Sequence, residues 1–183
     1  REIYTEAFEG CEGLRDFYIQ DIRTWIDLQF VYENFAEEGE GLSDYYSFDY
    51  FTDSNSELKN LYVNGEKLTN LIIPEGTEYL TGYIFHSTSI ESVTIPNSLY
   101  GISENAFSQC KNLISVKIPA NINYINENAF AGCENLSKVY YGGSKTQRGK
   151  IDIESGNTRL TKATWEYNCN LDLDMPVVKI TGV

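Results

Sequence analysis

The ten residues ENAFSQCKNL, from Glu104, return almost unchanged as ENAFAGCENL from Glu127, 23 positions later. In an irregular globule each core position has its own shape and selects its own side chain, so such repetition excludes that class. It requires a coil stacked on a copy of itself. The register extends through Ile102, Ala106, Phe107, Cys110, Leu113, Val116 and Ile118, and then through Ile125, Ala129, Phe130, Cys133, Leu136, Val139 and Tyr141. Upstream it continues at Leu80, Phe85, Ile90, Val93, Ile95 and Pro96, with one residue deleted between Phe85 and Ile90. Leu68, Leu71, Ile73 and Pro74 begin the coil before that, and Ile3, Ala7, Phe8, Cys11, Leu14, Phe17 and Ile19 fit the template at the N-terminus. Five rungs are legible, interrupted once between Ile19 and Leu68.

Each part of the template has a physical reading. V-x-I followed by Pro is a short strand whose apolar residues, at period two, face one side. In the other half of the coil, Ser103 or Asn126 is placed to cap a helical turn from which Ala, Phe and Cys point inward. Ala is small there because neighbouring coils approach closely. One coil cannot bury both of its faces, so stacked coils share a continuous core and their strands form a parallel sheet.

These residues resemble the BspA-like class of leucine-rich repeats, with its I-x3-AF-x2-C-x2-L-x2-V-x-IP signature. The resemblance covers most of residues 1–141. It implies an α/β fold: a right-handed leucine-rich-repeat solenoid with a mostly parallel concave sheet and short helical turns on the convex side. Downstream, VYYGGSKTQRGKIDIESGNTRLTKATWEYN is similar to the segment that closes such arrays, with its SGN and L-x2-AT elements, although Arg148 stands where a tryptophan is frequent. The expected organisation is a solenoid over residues 1–170, with an insertion at about 21–58 and a closing segment at 142–170. Residues 171–183 are expected to be a linker or the start of an immunoglobulin-like domain, on the strength of VVKITGV. The resemblance also implies a bacterial protein that is extracellular or displayed at the cell surface, in adhesive or host-contact roles.

Charge narrows the partners. A formal net charge of −13 repels phosphate backbones and anionic lipid, so no nucleic-acid partner is expected. Direct membrane insertion is not expected either, because no apolar run is long enough to span a bilayer. REIYTEAF already reads as the middle of a repeat, so the chain is expected to be a piece of a longer protein, and targeting signals carry no information on compartment.

Within the interruption, Thr24 to Leu58 holds nine acidic residues and no Lys or Arg, and eight aromatics lie between Phe30 and Phe51. That aromatic density is unlike a flexible linker. DIRTW reads as a short helix and the remainder as an excursion packed on the solenoid flank. Asn64-Gly65 between LYV and EKL signals a type I′ hairpin, because both central residues need positive φ.

Catalytic and metal chemistry find little purchase. His86, the single histidine, is a lone imidazole that gives no triad and reads as an exposed turn residue. Cys11, Cys110 and Cys133 share one template position, and Cys169 lies in the closing segment. Their spacing lacks the short C-x2-C pairs of a zinc site. Adjacent coils about 4.8 Å apart put a Cys110–Cys133 bond within reach, but identically oriented side chains seldom meet a disulfide's dihedral, so a column of buried free thiols is expected. Asp53, Asn55 and Glu57 alternate as calcium ligands would but lack the longer ligand series and turn glycine of an EF-hand. The cluster Tyr45, Tyr46, Phe48, Tyr50 and Phe51 reads as packing on the solenoid rather than as a binding surface.

Outward strand positions form the concave face and are free of core duty. The candidate ligand-binding residues are Tyr18, Asn70, Ile72, Ser92, Thr94, Ser115, Lys117, Lys138 and Tyr140. The expected function is therefore non-catalytic recognition or adhesion of a protein ligand, host proteins included, with no cofactor and no metal. Its alternatives are a structural spacer displaying neighbouring domains and, third, a hydrolase using the acidic insertion.

Overall fold

A computed structural model describes residues 2–4, 13–31 and 59–171. The N-terminal part contains β1 (Glu2–Tyr4), β2 (Asp16–Ile19), α1 (Ile22–Ile26) and β3 (Gln29–Val31). A hairpin of β4 (Asn60–Val63) and β5 (Glu66–Lys67) follows, and then β6 (Asn70–Ile72) and β7 (Ser92–Thr94). The next two coils contribute β8 (Gly101–Ile102) with β9 (Ser115–Ile118), and β10 (Tyr124–Ile125) with β11 (Lys138–Tyr141). The closing segment supplies α2 (Lys145–Arg148), β12 (Asp152–Ile153), α3 (Thr158–Lys162) and β13 (Thr164–Glu166).

The repeat becomes a solenoid because equivalent residues of successive coils pair in parallel. Leu71, Val93, Val116, Val139 and Trp165 fall in one register across a five-stranded sheet of order β13-β11-β9-β7-β6. A second, three-stranded sheet, β12-β10-β8, runs along the flank with Ile102, Ile125 and Ile153 aligned. Between the sheets lies one continuous core. Its spine is a ladder of phenyl rings, Phe85 on Phe107 at 5.6 Å and Phe107 on Phe130 at 5.3 Å between centroids, all fully buried. Ala106 and Ala129 are buried beside them, as close approach of coils demands.

The convex arcs differ from the expected helical turns. Among the described residues, segments 82–88, 104–110 and 127–133 contain turns and no helix, and the three short helices lie outside them. Hydrogen bonding explains the difference. Alternate N–H groups, those of Phe85, Ser87, Asn105, Phe107 and Gln109, donate to carbonyls of the next coil at 2.6–3.1 Å. The N–H groups between them, of Ala106, Ser108 and Cys110, bond back three residues within their own coil. A helix would direct every donor along its own axis and leave none for the neighbour. The alternation is achieved by positive φ twice per coil, at Tyr83 and Ser87, Asn105 and Gln109, and Asn128 and Gly132. Ser103, expected as a helix cap, instead donates its hydroxyl to the Leu80 carbonyl of the preceding coil.

The interruption is only partly described. α1 forms as expected, with Asp21 Oδ1 accepting from the Thr24 N–H at 2.7 Å. It docks on the solenoid through Trp25, whose Nε1 donates to Ile84 O at 3.1 Å, and through Arg23, which reaches Glu75 O and Thr77 Oγ1. Asn64 and Gly65 have φ of 52° and 81°, the hairpin turn read from the sequence. The hairpin does not join the five-stranded sheet. β4 pairs with β2 instead, so that β2-β4-β5 is a sheet of its own. Asp53, Asn55, Glu57, the aromatic cluster from Tyr45 to Phe51, Cys11 and the VVKITGV tail lie outside the described residues.

The closing segment finishes the stack by supplying what a further coil would. β12 and β13 pair with β10 and β11. The Phe130 N–H, which in earlier coils would meet a backbone carbonyl, donates to Asn157 Oδ1 at 3.0 Å. Asn157 Nδ2 returns hydrogen bonds to the carbonyls of Asn126, Glu154 and Ser155. Arg148, the departure noted above, packs its guanidinium 4.7 Å from the Trp165 ring centroid, and Trp165 meets Tyr141 edge to face.

Candidate ligand-binding face

Strand pleating sends alternate side chains away from the core, and parallel pairing lines them up across the sheet. One outward row runs Asn70, Ser92, Ser115, Lys138, Thr164; the next runs Ile72, Thr94, Lys117, Tyr140, Glu166. Eight of the nine expected residues therefore share one surface. Within it Ser92 Oγ donates to Asn70 Oδ1 at 2.8 Å, and Ile72 stands 66% exposed on the edge strand. The chemistry is mixed: two ammonium groups, one carboxylate, a phenol and an aliphatic anchor.

Tyr18 is placed elsewhere. It lies on the separate β2-β4-β5 sheet, 70% exposed, with its ring stacked on Tyr62 at 4.6 Å and 13°. On the same strands Asn60 Nδ2 donates to Asp16 Oδ1 at 2.7 Å. Partial desolvation first, then Asp16 and Tyr18, push the Tyr62 phenol above its ordinary range. Sequence reasoning missed Asn60 and Tyr62, because the hairpin interrupts the repeat there. It also missed Thr164 and Glu166, which extend the face although the closing segment lacks the V-x-IP pattern. The alternation T-W-E was the available signal.

The remaining candidates resolve as packing. Cys110 and Cys133 are free and buried, and each Sγ donates to a phenylalanine carbonyl of the preceding coil, Phe85 O at 3.0 Å and Phe107 O at 3.1 Å. The column thus uses a small apolar side chain that also satisfies a carbonyl lone pair. Burial pushes the Cys110 thiol up to about 12 and that of Cys133 up as well. His86 is half-buried rather than exposed, and folding brings to it a hydroxyl of the next coil, 22 residues on: Nδ1 meets Ser108 Oγ at 2.5 Å. Ser108 donates its proton to Asn105 O at 3.0 Å and is itself buried. Its hydroxyl thus accepts from His86 and is tied to the backbone. Among the described residues no three His, Cys, Asp or Glu side chains converge as a metal site, and no helix is long and apolar enough to cross a membrane.

A family model described as the BspA type leucine rich repeat region matches residues 50–151 in six copies. Comparison with curated proteins and with solved structures returned no match. With over half of its length matched and its coils stacked in the matching register, the chain belongs to the BspA-type leucine-rich repeat family.

Proposed function

We propose that this chain is a non-catalytic recognition or adhesion module of a bacterial surface protein, taking a protein ligand on its concave sheet outside the cell. One observation carries the reading. Ile72, Thr94, Lys117, Tyr140 and Glu166 form a continuous outward row on the parallel sheet while their strand neighbours pack on the core. Such a row presents Tyr and aliphatic anchors without conformational rearrangement, the arrangement from which interface hot spots are built. The family supports the reading through the surface roles its resemblance implies, and the −13 charge disfavours polyanions as the ligand.

The test screens the immobilised chain against extracellular host proteins and measures affinity for any that bind. Replacing Ile72, Lys117 and Tyr140 by Ala together is expected to weaken binding by roughly thirtyfold or more, the scale of a hot spot. The melting temperature should stay unchanged. Unaltered affinity, with loss instead in a variant lacking residues 31–55, would move the site to the insertion.

A further inference from the structure

The flank sheet carries a feature that the concave reading does not use. Three exposed tyrosines lie along it: Tyr124, at 46%, stands on β10, while Tyr100, at 59%, directly precedes β8 and Tyr79, at 69%, occupies the coil before. Tyr124 pairs with Gly101 in the sheet, and Tyr79 is the counterpart of Gly101 one coil earlier, 22 residues back. Tyr79 is held beside that coil by Ser98 Oγ donating to Thr77 O at 2.7 Å and by the Ser103 hydroxyl on Leu80 O. Gly101 explains the posture of Tyr124: a Cβ there would lie 2.0 Å from Cε2 of the ring. The ring lies across backbone that only glycine leaves open, so one face is supported and the other is presented to solvent.

Acidic side chains predominate along this flank, although Arg23 docks at its edge on Glu75 O and Thr77 Oγ1. Segments 78–82, 100–104, 123–127 and 151–155 contain Glu78, Glu104, Glu127, Asp152 and Glu154 and no Lys or Arg; Lys150 is the nearest cation along the chain. Three of these carboxylates accept hydrogen bonds that leave their charge in place: Glu104 from Asn105, Glu127 from Ser155 and Glu154 from the Glu127 N–H. Glu78 adjoins Tyr79 in the chain and Asp152 pairs directly with Tyr124. The concave face, by contrast, carries Lys117 and Lys138.

We propose that the β8-β10-β12 flank is a second docking surface, for an Arg- and Lys-rich segment of a partner protein. Guanidinium and ammonium groups lie over the exposed faces of Tyr79, Tyr100 and Tyr124 while the neighbouring carboxylates neutralise them. Aromatic faces attract cations through the ring quadrupole, and Arg gains further by stacking its plane. The chain's overall negative charge steers a basic partner to it. Exposed rings among an excess of carboxylates complement such a segment in both apolar surface and charge.

The experiment uses the full chain and a fluorescein-labelled peptide of alternating Arg and Gly, read by anisotropy at low and physiological salt. Changing Tyr79, Tyr100 and Tyr124 to Ser together keeps the net charge and is expected to weaken binding about tenfold or more, from the sum of three exposed cation–π contacts. A Lys–Gly peptide should bind more weakly than its Arg counterpart. The Ile72→Ala/Tyr140→Ala variant should bind the Arg–Gly peptide like the parent, which separates this proposal from the concave-face reading. Equal affinity of parent and triple Tyr variant would reduce the interaction to net charge and overturn the proposal. So would tyrosine-dependent binding of a neutral hexasaccharide in place of the peptide. If the triple variant fails to fold, photo-crosslinking of a benzophenone-bearing Arg–Gly peptide to the parent decides: adducts on segments 78–82, 100–104 and 123–127 support the surface, and adducts elsewhere reject it.

Discussion

Single side chains in this protein are selected by the coil before and the coil after. Phe130 has the Phe107 ring on one side and the Asn157 cap above its N–H. Truncation to Ala is expected to cost about 3–5 kcal/mol through lost burial and the cavity left behind. Urea unfolding of Phe107→Ala and Phe130→Ala measures this, and a loss no larger than that of a surface change would reject the shared register. The thiols give a chemical test. Cys110 and Cys133 should resist alkylation in the folded protein and react on unfolding, since burial both excludes the reagent and holds the thiolate back. Their raised folded-state values also set a pH window. Stability contributed by the neutral Cys110 thiol is complete below its ordinary 9.0 and is lost as pH rises toward about 12. A Cys110→Ala/Cys133→Ala variant should show a flatter alkaline stability profile than the parent.

At the level of the element, the convex arcs and the cap are where backbone hydrogen bonds decide the structure. Gly132 sits at φ +69° with the Gln109 side chain folded over it. Gly132→Ala should destabilise the protein by about 1–2 kcal/mol, the left-handed cost of an L-residue. The same position is filled by Gln109 and Ser87 in the earlier coils, which therefore already bear that cost, offset by the inter-coil bonds their N–H groups make. The cap is the second element-scale test. Asn157→Ala removes the acceptor for the buried Phe130 N–H and the donors to three carbonyls, and should cost about 1–3 kcal/mol. Hydrogen exchange at Phe130 is the specific readout. Unchanged protection there would mean that another group closes the stack.

Taken whole, the molecule is a ladder whose stability is shared between neighbouring coils, so damage at one rung is felt by the next. Destabilising changes at Phe107 and Phe130 should accordingly combine non-additively in a double-mutant cycle, because the rings touch. Charge is also distributed at this scale. Lysines stand on the concave sheet, and carboxylates with exposed tyrosines stand on the flank. A ligand held on the flank should lose affinity with added salt more steeply than one held on the concave sheet by Ile72 and Tyr140.

Periodicity alone determined the stacked architecture, the inward column of Val93, Val116 and Val139, and the outward orientation of Ile72, Lys117 and Tyr140. A side-chain period of two and a coil period of 22 or 23 leave one way to bury both faces. The short helix at DIRTW and the Asn64-Gly65 hairpin were legible too, because capping and positive φ are local requirements. Tertiary structure decided what depends on a neighbouring coil. The convex arcs became turns because their alternate N–H groups found carbonyls in the next coil, a competition no single-coil pattern reveals. Tyr18 left the concave face because β4 captured its strand, and Asn157 became the stopper because only the end of a stack has a donor with no further coil to meet.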